Sequence, residues 1–280
     1  MIWRFRGREI DLTSRGVIVG ILNATPDSFS DGGSFLDPEK ACERGFALLA
    51  EGAGLLDVGG ESTRPGAVAV SPEEEATRVL PVIRALRKRT DAPLSVDTSK
   101  ASVAEAALEA GADIINDVTA LLGDPRMGPL AAASGAGLIL MHMQGRPETM
   151  QLRPTYPGDD AVGEVAKFLS ERRDAALGFG VDAASLILDP GIGFGKTTDH
   201  NLALLRNIPR LASLGSPLMI GHSRKSFLAA CSQGDRPADR LSAAIAVTAH
   251  ARVAGARLFR VHEARPHHEA LRMTEALLAA

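Results

Sequence analysis

The sequence predicts a (β/α)8, or TIM, barrel that forms a single domain. From residue 17 onward, short apolar segments alternate with amphipathic segments about eight times, as parallel strands alternate with helices in such a barrel. The length of 280 residues is close to the roughly 250 residues that this fold uses. No linker, low-complexity segment or run of charge divides the chain. A doubly wound open sheet would give a similar alternation and is the alternative fold.

The individual elements follow from this alternation and from helix start signals. Three helices are predicted to begin where a capping side chain precedes a proline, at Asp37, Ser71 and Asp124. Residues 1–16 precede the first strand of the barrel and are expected to form a short N-terminal hairpin. The eight predicted barrel strands comprise residues 17–22, 54–58, 94–96, 113–115, 137–141, 186–188, 218–220 and 257–261.

Composition and charge exclude several classes of protein. The net charge is −3 and no basic run stands out, which argues against binding to nucleic acid or to an anionic membrane. The first six residues lack the apolar core of a signal peptide, and no stretch of 18 apolar residues occurs. Cys42 and Cys231 lie far apart without metal-ligand spacing, as expected for reduced thiols. We therefore expect a cytoplasmic protein that acts on small molecules.

Polar residues stand at the end of each predicted strand, where a barrel gathers them around one opening. The residues at these ends that we expect to contribute to a site are Asn23, Asp97, Asn116, Asp189, Ser223, Lys225, Arg260 and His262. Asp57 and Asp113 are instead expected to have no role in the site and to be exposed to solvent at the strand ends. Lys100 and Lys196 are expected to be solvated loop lysines. His142 is expected to be a core histidine. His267 is expected to lie at the exposed start of the final helix.

The glycine-rich segment around Asp189 is the most informative part of the sequence. Gly195, Lys196 and Thr197 suggest a phosphate-binding P-loop, but the spacing that this motif requires puts Pro190 where its first glycine should be. We therefore reject the P-loop. What remains is a carboxylate at a strand end close to Phe194, which suits a flat ligand that forms hydrogen bonds.

The candidate residues divide into two chemical groups. Asp97, Asn116 and Asp189 offer acceptors and a carboxamide, which match the N–H and C=O edges of a planar heterocycle. A second group suits a phosphate-like anion, with Mg²⁺ on Asn23, and contains Asn23, Arg64, Arg260 and His262. No Ser-His-Asp set, HExxH or CxxC motif is evident. The reacting nucleophile is therefore expected to arrive with a substrate.

These residues carry a resemblance to a known family. Eight segments, in order and each at a predicted strand end, resemble those of the dihydropteroate synthases, pterin-binding barrel enzymes of folate biosynthesis. The segments are residues 23–33, 60–66, 95–100, 115–118, 141–145, 189–196, 223–226 and 260–262. The resemblance implies a transferase that condenses 6-hydroxymethyl-7,8-dihydropterin pyrophosphate with p-aminobenzoate. The expected path is SN1-like, with pyrophosphate leaving before the amine attacks. The family is commonly dimeric, which implies a homodimer.

The resemblance also assigns roles to residues. Pterin would be held by Asp97, Asn116, Asp189 and Lys225, lined by Met141 and Phe194, with Arg260 stacked on one side. The diphosphate would be held by Asn23, Arg64, Arg260 and His262, with Mg²⁺ on Asn23. The p-aminobenzoate pocket would contain Phe29, Thr63, Pro65, Lys225 and Ser226. The residues assigned to catalysis are Asp31, Asp97, Asp189, Lys225 and Arg260.

Two alternative functions use the same ring-binding residues. A pterin-binding methyltransferase barrel would share the carboxylates and the carboxamide but would not need a diphosphate clamp. A non-catalytic pterin-binding paralogue would keep the barrel, and we would expect its loops 23–33 and 60–66 to have decayed. Both loops are intact in this sequence. Glu263 stands where the family often has aspartate, so it is left out of the predicted site.

Overall fold

A computed structural model describes residues 1–25, 37–63, 66–232 and 236–280 of the chain. Four of the predicted site residues, Phe29, Asp31, Arg64 and Pro65, lie outside these described residues.

Eight parallel strands form a nearly closed barrel, which confirms the predicted fold. Their order around the sheet, by residue numbers, is 186–189, 137–141, 114–117, 94–97, 55–59, 17–23, 258–261 and 219–221. A backbone bridge between Leu188 and Leu218 brings the two edge strands together, and the amide of Leu188 donates to the carbonyl of Pro217 at 3.0 Å. In chain order the strands are β3 (Val17–Asn23), β4 (Leu55–Gly59), β5 (Leu94–Asp97), β6 (Ile114–Asp117), β7 (Gly137–Met141), β8 (Leu186–Asp189), β9 (Met219–Gly221) and β10 (Leu258–Val261).

Helices surround the barrel and pack on its outer face. They are α1 (Pro38–Ala50), α2 (Pro72–Arg87), α3 (Ala101–Ala110), α4 (Met127–Ser134), α5 (Ala161–Gly178), α6 (Thr198–Arg206), α7 (Ile208–Ala212), α8 (Leu241–Val253) and α9 (Ala264–Ala279). Their apolar residues join those on the outer side of the strands in the larger of two buried clusters. In the described parts of the chain, no helix combines the length and apolarity needed to cross a membrane.

The predicted helix starts hold at two of three positions. Asp37 accepts from the amides of Glu39 and Lys40 at the start of α1. Ser71 accepts from the amide of Glu74 at the start of α2. Satisfying these free amides is what makes such residues good caps. The prediction at Asp124 was wrong, because α4 begins later and Asp124 instead accepts from the amides of Arg126 and Ala101.

The predicted N-terminal hairpin is present and closes the bottom of the barrel. It consists of β1 (Ile2–Phe5) and β2 (Arg8–Asp11), paired antiparallel. Trp3 and Phe5 are buried against inward-facing residues of the barrel strands, and Trp3 Nε1 donates to the carbonyl of Ser185 at 3.0 Å. The amino-terminal end of the barrel is thus filled with apolar side chains, which leaves the carboxyl-terminal end as its opening.

Candidate active site

The predicted site residues converge because neighbouring strands end at the same level. In the sheet register, Gly59 stands beside both Asn23 and Asp97. Asp97 stands beside Asn116, and Met141 beside Asp189. These residues are the last or next-to-last of their strands. They therefore surround the carboxyl-terminal opening, where barrel enzymes bind their substrates.

A network of charged and amide side chains fills the centre of this opening. Asp57 Oδ2 accepts from Asn116 Nδ2 at 3.0 Å and from Arg260 Nε at 2.6 Å. The other end of the guanidinium, Arg260 Nη2, donates to Asp97 Oδ2 at 2.6 Å. All three acidic and amide side chains are buried, and Asp57 is fully so. Arg260 is thus shared between two carboxylates and fixes both.

Burial controls the protonation of this network. It raises the pKa of Asp97 to about 7, an effect that Arg260 opposes and the neighbouring charge of Asp57 reinforces. Burial disfavours the charged form of Arg260, but Asp57 and Asp97 outweigh it and raise the pKa of the guanidinium. Arg260 therefore stays charged, whereas Asp97 can exchange a proton near neutral pH.

Asp189 lies at the end of β8, where a glycine turn wraps around its carboxylate. Asp189 Oδ1 accepts from the amide of Gly191 at 2.7 Å, and burial raises the pKa of this carboxyl above its ordinary value. Gly191 has a φ of +65°, and a Cβ there would lie 1.8 Å from the carbonyl oxygen of His142. Only glycine lets the turn pass this close to the end of β7.

Lys225 faces Asp189 across the opening. Its ammonium donates to the carbonyl of Ile192 and lies 4.3 Å from the centroid of the Phe194 ring, which is within cation–π range. Burial lowers the pKa of Lys225 to about 7, and the attraction of Asp189 limits the shift. A Cβ on Gly221 would lie 3.7 Å from Asp189 Oδ2 and 3.8 Å from Lys225 Nζ, so both groups border the space above Gly221.

A second cluster holds His262 beside Ser223. Ser223 Oγ lies 3.1 Å from His262 Nδ1 and 3.4 Å from Glu263 Oε2. Arg224 has a strained backbone with a φ of +62°, and its Nε donates to Glu263 Oε1 at 2.7 Å. Glu263, which we left out of the predicted site, therefore anchors the loop that carries Lys225.

The other predicted residues lie around the rim. Asn23 is half-buried at the last position of β3, Met141 is buried at the end of β7, and Ser226 is exposed after Lys225. Thr63 lines a cavity of about 90 Å³ together with Asp97, Thr98, Thr119 and Met143. The structure thus gathers every described member of the predicted set at one end of the barrel.

The expectation that Asp57 and Asp113 are polar because they meet solvent was wrong. Asp57 is fully buried and bonds to two site residues, as described above. Asp113 lies at the opposite end of the barrel, where its Oδ2 accepts from Arg87 Nη2 at 2.7 Å and from the amide of Leu94 at 3.0 Å. One aspartate therefore belongs to the site, whereas the other is structural.

Three further expectations about basic residues also change. Lys196 is only 3% exposed, so it is not a solvated loop lysine. Lys100 bridges Glu61 and Glu75, which ties the start of the 60–66 loop to α2. His267 lies inside α9 with no exposed surface and contacts Thr248 Oγ1 through Nδ1 at 2.7 Å. His142 is buried, as predicted.

The chemistry of Asn23 suits Mg²⁺ that is held mainly by a substrate. Among the described residues, no group of three or more histidine, cysteine, aspartate or glutamate side chains is arranged to hold a metal ion. Mg²⁺ commonly keeps several waters and takes one or two protein oxygens together with substrate phosphates. The amide oxygen of Asn23, at the edge of the opening, suits that mode of binding.

Comparison with known proteins agrees with this site. Residues 19–262 match the family model described as "Pterin binding enzyme", a range that contains nearly all of the barrel and every predicted site residue. The fold and the site together define a pterin-binding barrel enzyme.

Similar proteins narrow the class further. The dihydropteroate synthase of Synechocystis is 43% identical over 267 residues, which cover 95% of this chain and 92% of that protein. Dihydropteroate synthase from Xanthomonas albilineans, solved with 4-aminobenzoic acid, is 45% identical with a TM-score of 0.91 and covers 98% of this chain and 97% of that one. Its complex with 7,8-dihydropteroate superimposes with a TM-score of 0.90 at 42% identity over 100% of both chains. This chain belongs to the dihydropteroate synthase family.

Proposed function

We propose that the protein is a transferase that joins 6-hydroxymethyl-7,8-dihydropterin pyrophosphate to p-aminobenzoate, giving 7,8-dihydropteroate and pyrophosphate in folate biosynthesis. The observation that carries this proposal is the convergence of Asp97, Asn116 and Asp189 with Lys225 and Arg260 at one end of the barrel. The family membership supports this reaction, and the Xanthomonas albilineans complexes support p-aminobenzoate as a substrate and 7,8-dihydropteroate as the product.

The pterin ring would lie in the buried part of the opening. Asp97 and Asp189 would accept from its ring and exocyclic N–H groups, while Asn116 would donate to or accept from the ring edge. Phe194, held near Lys225, and Met141 would contact the faces of the ring. To accept from pterin through Oδ2, Asp97 must give up or share its bond to Arg260. Arg260 would keep its bond to Asp57 and turn toward the diphosphate.

The proposed reaction depends on stabilising the opposite charges that develop at the two ends of the bond that breaks. The C–O bond between the pterin methylene and the diphosphate breaks first, and its electron pair leaves with pyrophosphate. Asp97 and Asp189 stabilise the resulting pterin cation, while Arg64, Arg260 and His262 stabilise the departing anion. The amine lone pair of p-aminobenzoate then forms the C–N bond and its proton passes to solvent. No nucleophile from the protein is needed.

Mg²⁺ would be held by Asn23 and by the diphosphate oxygens. Once bound, it would supply positive charge to the leaving group. His262, whose Nδ1 is held near Ser223 Oγ, would take the diphosphate on the other side. Thr63, Ser226 and Lys225 would form the p-aminobenzoate pocket with Phe29 and Pro65, and Asp31 would complete it from the same loop as Phe29.

The proposal is tested by incubating the protein with the dihydropterin pyrophosphate and Mg²⁺, with and without p-aminobenzoate. We expect pyrophosphate and dihydropteroate to appear together in equal amounts. Saturable pterin binding without turnover would identify the non-catalytic paralogue instead. Methyl transfer from a methylated folate, without pyrophosphate chemistry, would identify the methyltransferase.

Homodimer formation is part of the proposal. Large apolar side chains are exposed on the last two helices: Val253 on α8, and Met273, Leu277 and Leu278 on α9. Such a patch, partly shared between adjacent helices, suits a surface buried between two copies. Sedimentation should give twice the mass of the chain, and a charged residue in place of Met273 should reduce it to the monomer. A cytoplasmic location remains a prediction.

A further inference from the structure

Lys196 is a buried lysine that the proposed mechanism does not use, and burial together with the charge of Lys225 lowers its pKa well below the ordinary value. Only 3% of the residue is exposed, and among the described residues it forms no ion pair. Its Nζ lies 2.9 Å from His142 Nδ1, 3.0 Å from the carbonyl oxygen of Phe194 and 3.5 Å from the carbonyl oxygen of His142. Burying an amine costs free energy unless its hydrogen-bonding groups are satisfied. The position of Lys196 therefore depends on these contacts.

These three contacts satisfy the hydrogen-bonding groups of the Lys196 amine. His142 can serve as an acceptor because burial, with the nearby charge of Lys196, holds its pKa at about 3. Its imidazole is therefore neutral and can leave Nδ1 free to accept. The ring of Phe168 packs edge-on against His142 at 4.9 Å between centroids, which fixes the orientation of the imidazole. Lys196 thus occupies a preformed site.

The segment that Lys196 holds has little rigidity of its own. Gly191, Gly193 and Gly195 all have positive φ values, of +65°, +83° and +63°, and glycine loses more backbone freedom on ordering than any other residue. One bond within the segment, from the amide of Phe194 to the carbonyl of Gly191 at 3.0 Å, is supplemented by bonds from outside. Tyr156 Oη donates to the carbonyl of Gly195 at 3.0 Å, and Lys196 holds the carbonyl of Phe194.

We propose that Lys196 is a positioning residue of the pterin pocket. Held by His142, its Nζ fixes the Phe194 carbonyl and thereby keeps the Phe194 ring against Lys225. Without this bond, the glycine turn can rotate and the ring leaves the face on which the pterin would lie. This inference rests on the proposed function, because the pterin is the ligand whose affinity it predicts.

The test compares K196M with the wild type and with K167M, which removes an exposed lysine whose side chain is 69% exposed on α5. Loss of the buried hydrogen bond from Lys196 to the Phe194 carbonyl should weaken binding of the dihydropterin, measured by calorimetry, about tenfold. The KM for p-aminobenzoate at saturating pterin should not change. K167M should bind pterin as the wild type does. A general loss of structure would change both substrates together.

A double mutant identifies the route of the effect. If Lys196 acts through Phe194, then K196M should weaken pterin binding in the wild type but not in F194A. The inference is overturned if K196M binds pterin as tightly as the wild type, or if its full effect persists in F194A. If K196M does not fold, Y156F removes the single hydroxyl that donates to the Gly195 carbonyl of the same segment and should weaken pterin binding in the same selective way. Turnover of the wild type is measured in the same experiment. If the wild type binds pterin without turnover, the proposed function fails while the role of Lys196 in binding can still be judged.

Discussion

Arg260 Nε donates to Asp57 Oδ2 across 2.6 Å, and this bond joins strands β10 and β4, which are separated in the sheet by β3. The same oxygen accepts from Asn116 on β6. One fully buried carboxylate therefore orients the amide that would contact the pterin ring and the guanidinium that would contact the diphosphate.

Asp57→Asn tests this role of Asp57. The amide oxygen can keep both hydrogen bonds, so the change removes charge rather than shape. Because the charge of Asp57 helps to raise the pKa of Asp97, we expect the pH dependence of pterin binding to shift to lower pH. Loss of a buried ion-pair partner should also lower the free energy of unfolding by about 3 kcal/mol.

Asp113→Asn is the matched control for Asp57→Asn. Asp113 also forms ion pairs, which are partly buried, with Arg87 and Arg8, but at the opposite end of the barrel. The Asp113→Asn variant should be less stable than the wild type, but its affinity for pterin should be unchanged. Equal effects of the two changes on pterin binding would count against a specific role for Asp57.

Asp97→Asn tests the raised pKa of Asp97. The pKa rises from 3.8 to about 7 in the folded protein, so the native state keeps a proton that the unfolded state has lost between these values. Stability must then fall as the pH rises through this window, by at most about 1.4 kcal/mol per pH unit. Urea unfolding should show this fall in the wild type relative to D97N. A constant difference from about pH 4 to about pH 7 would refute the assignment.

Gly191→Ala tests the close approach of the glycine turn to β7. A Cβ at this position would lie 1.8 Å from the His142 carbonyl oxygen, so the turn must move and pterin binding should be lost. Gly135→Ala is the control, because Gly135 has a similar φ of +62° but nothing lies within 4 Å of its Cβ position. That variant should lose only about 1 kcal/mol of stability, the cost of a left-handed backbone. Thermal unfolding and pterin titration of both variants measure the difference.

Asn23→Ala tests the proposed metal site. If the amide oxygen holds Mg²⁺ with the diphosphate, this variant should need a higher Mg²⁺ concentration for half-maximal turnover. Binding of a dihydropterin without diphosphate should be unaffected, both in the variant and after chelation of the wild type. If the variant needs the same Mg²⁺ concentration as the wild type, Asn23 does not hold the metal.

Much of the site was predictable because strand ends in a barrel must converge. Asp97, Asn116 and Asp189 stood out as polar residues next to apolar strands, and the structure places them together. Asp57 was missed although Leu55, Leu56 and Val58 surround it in sequence. Asn116 was selected because a polar group inside an apolar run needs a partner. The same argument applies to Asp57.

Lys196 illustrates what local sequence cannot reveal. Its main partner, His142, lies 54 residues away, and only the folded chain brings the two together. From its neighbours alone, a lysine after three glycines resembles a solvated loop residue. The strand boundaries show a related effect, because Asp97 and Asp189 belong to β5 and β8 rather than following them. Partners on adjacent strands allow a polar residue to continue the strand.

The most direct test of the account is pyrophosphate release from the dihydropterin pyrophosphate, with p-aminobenzoate and Mg²⁺, by the wild type and by Asp189→Asn. The buried carboxylate of Asp189 should stabilise the pterin cation, so release coupled to dihydropteroate formation should fall by about 100-fold in the variant. Asp182→Asn, which changes a helix cap remote from the opening, should release pyrophosphate at the wild-type rate. Equal rates for the wild type and Asp189→Asn, or no release by a folded wild type, would contradict the account.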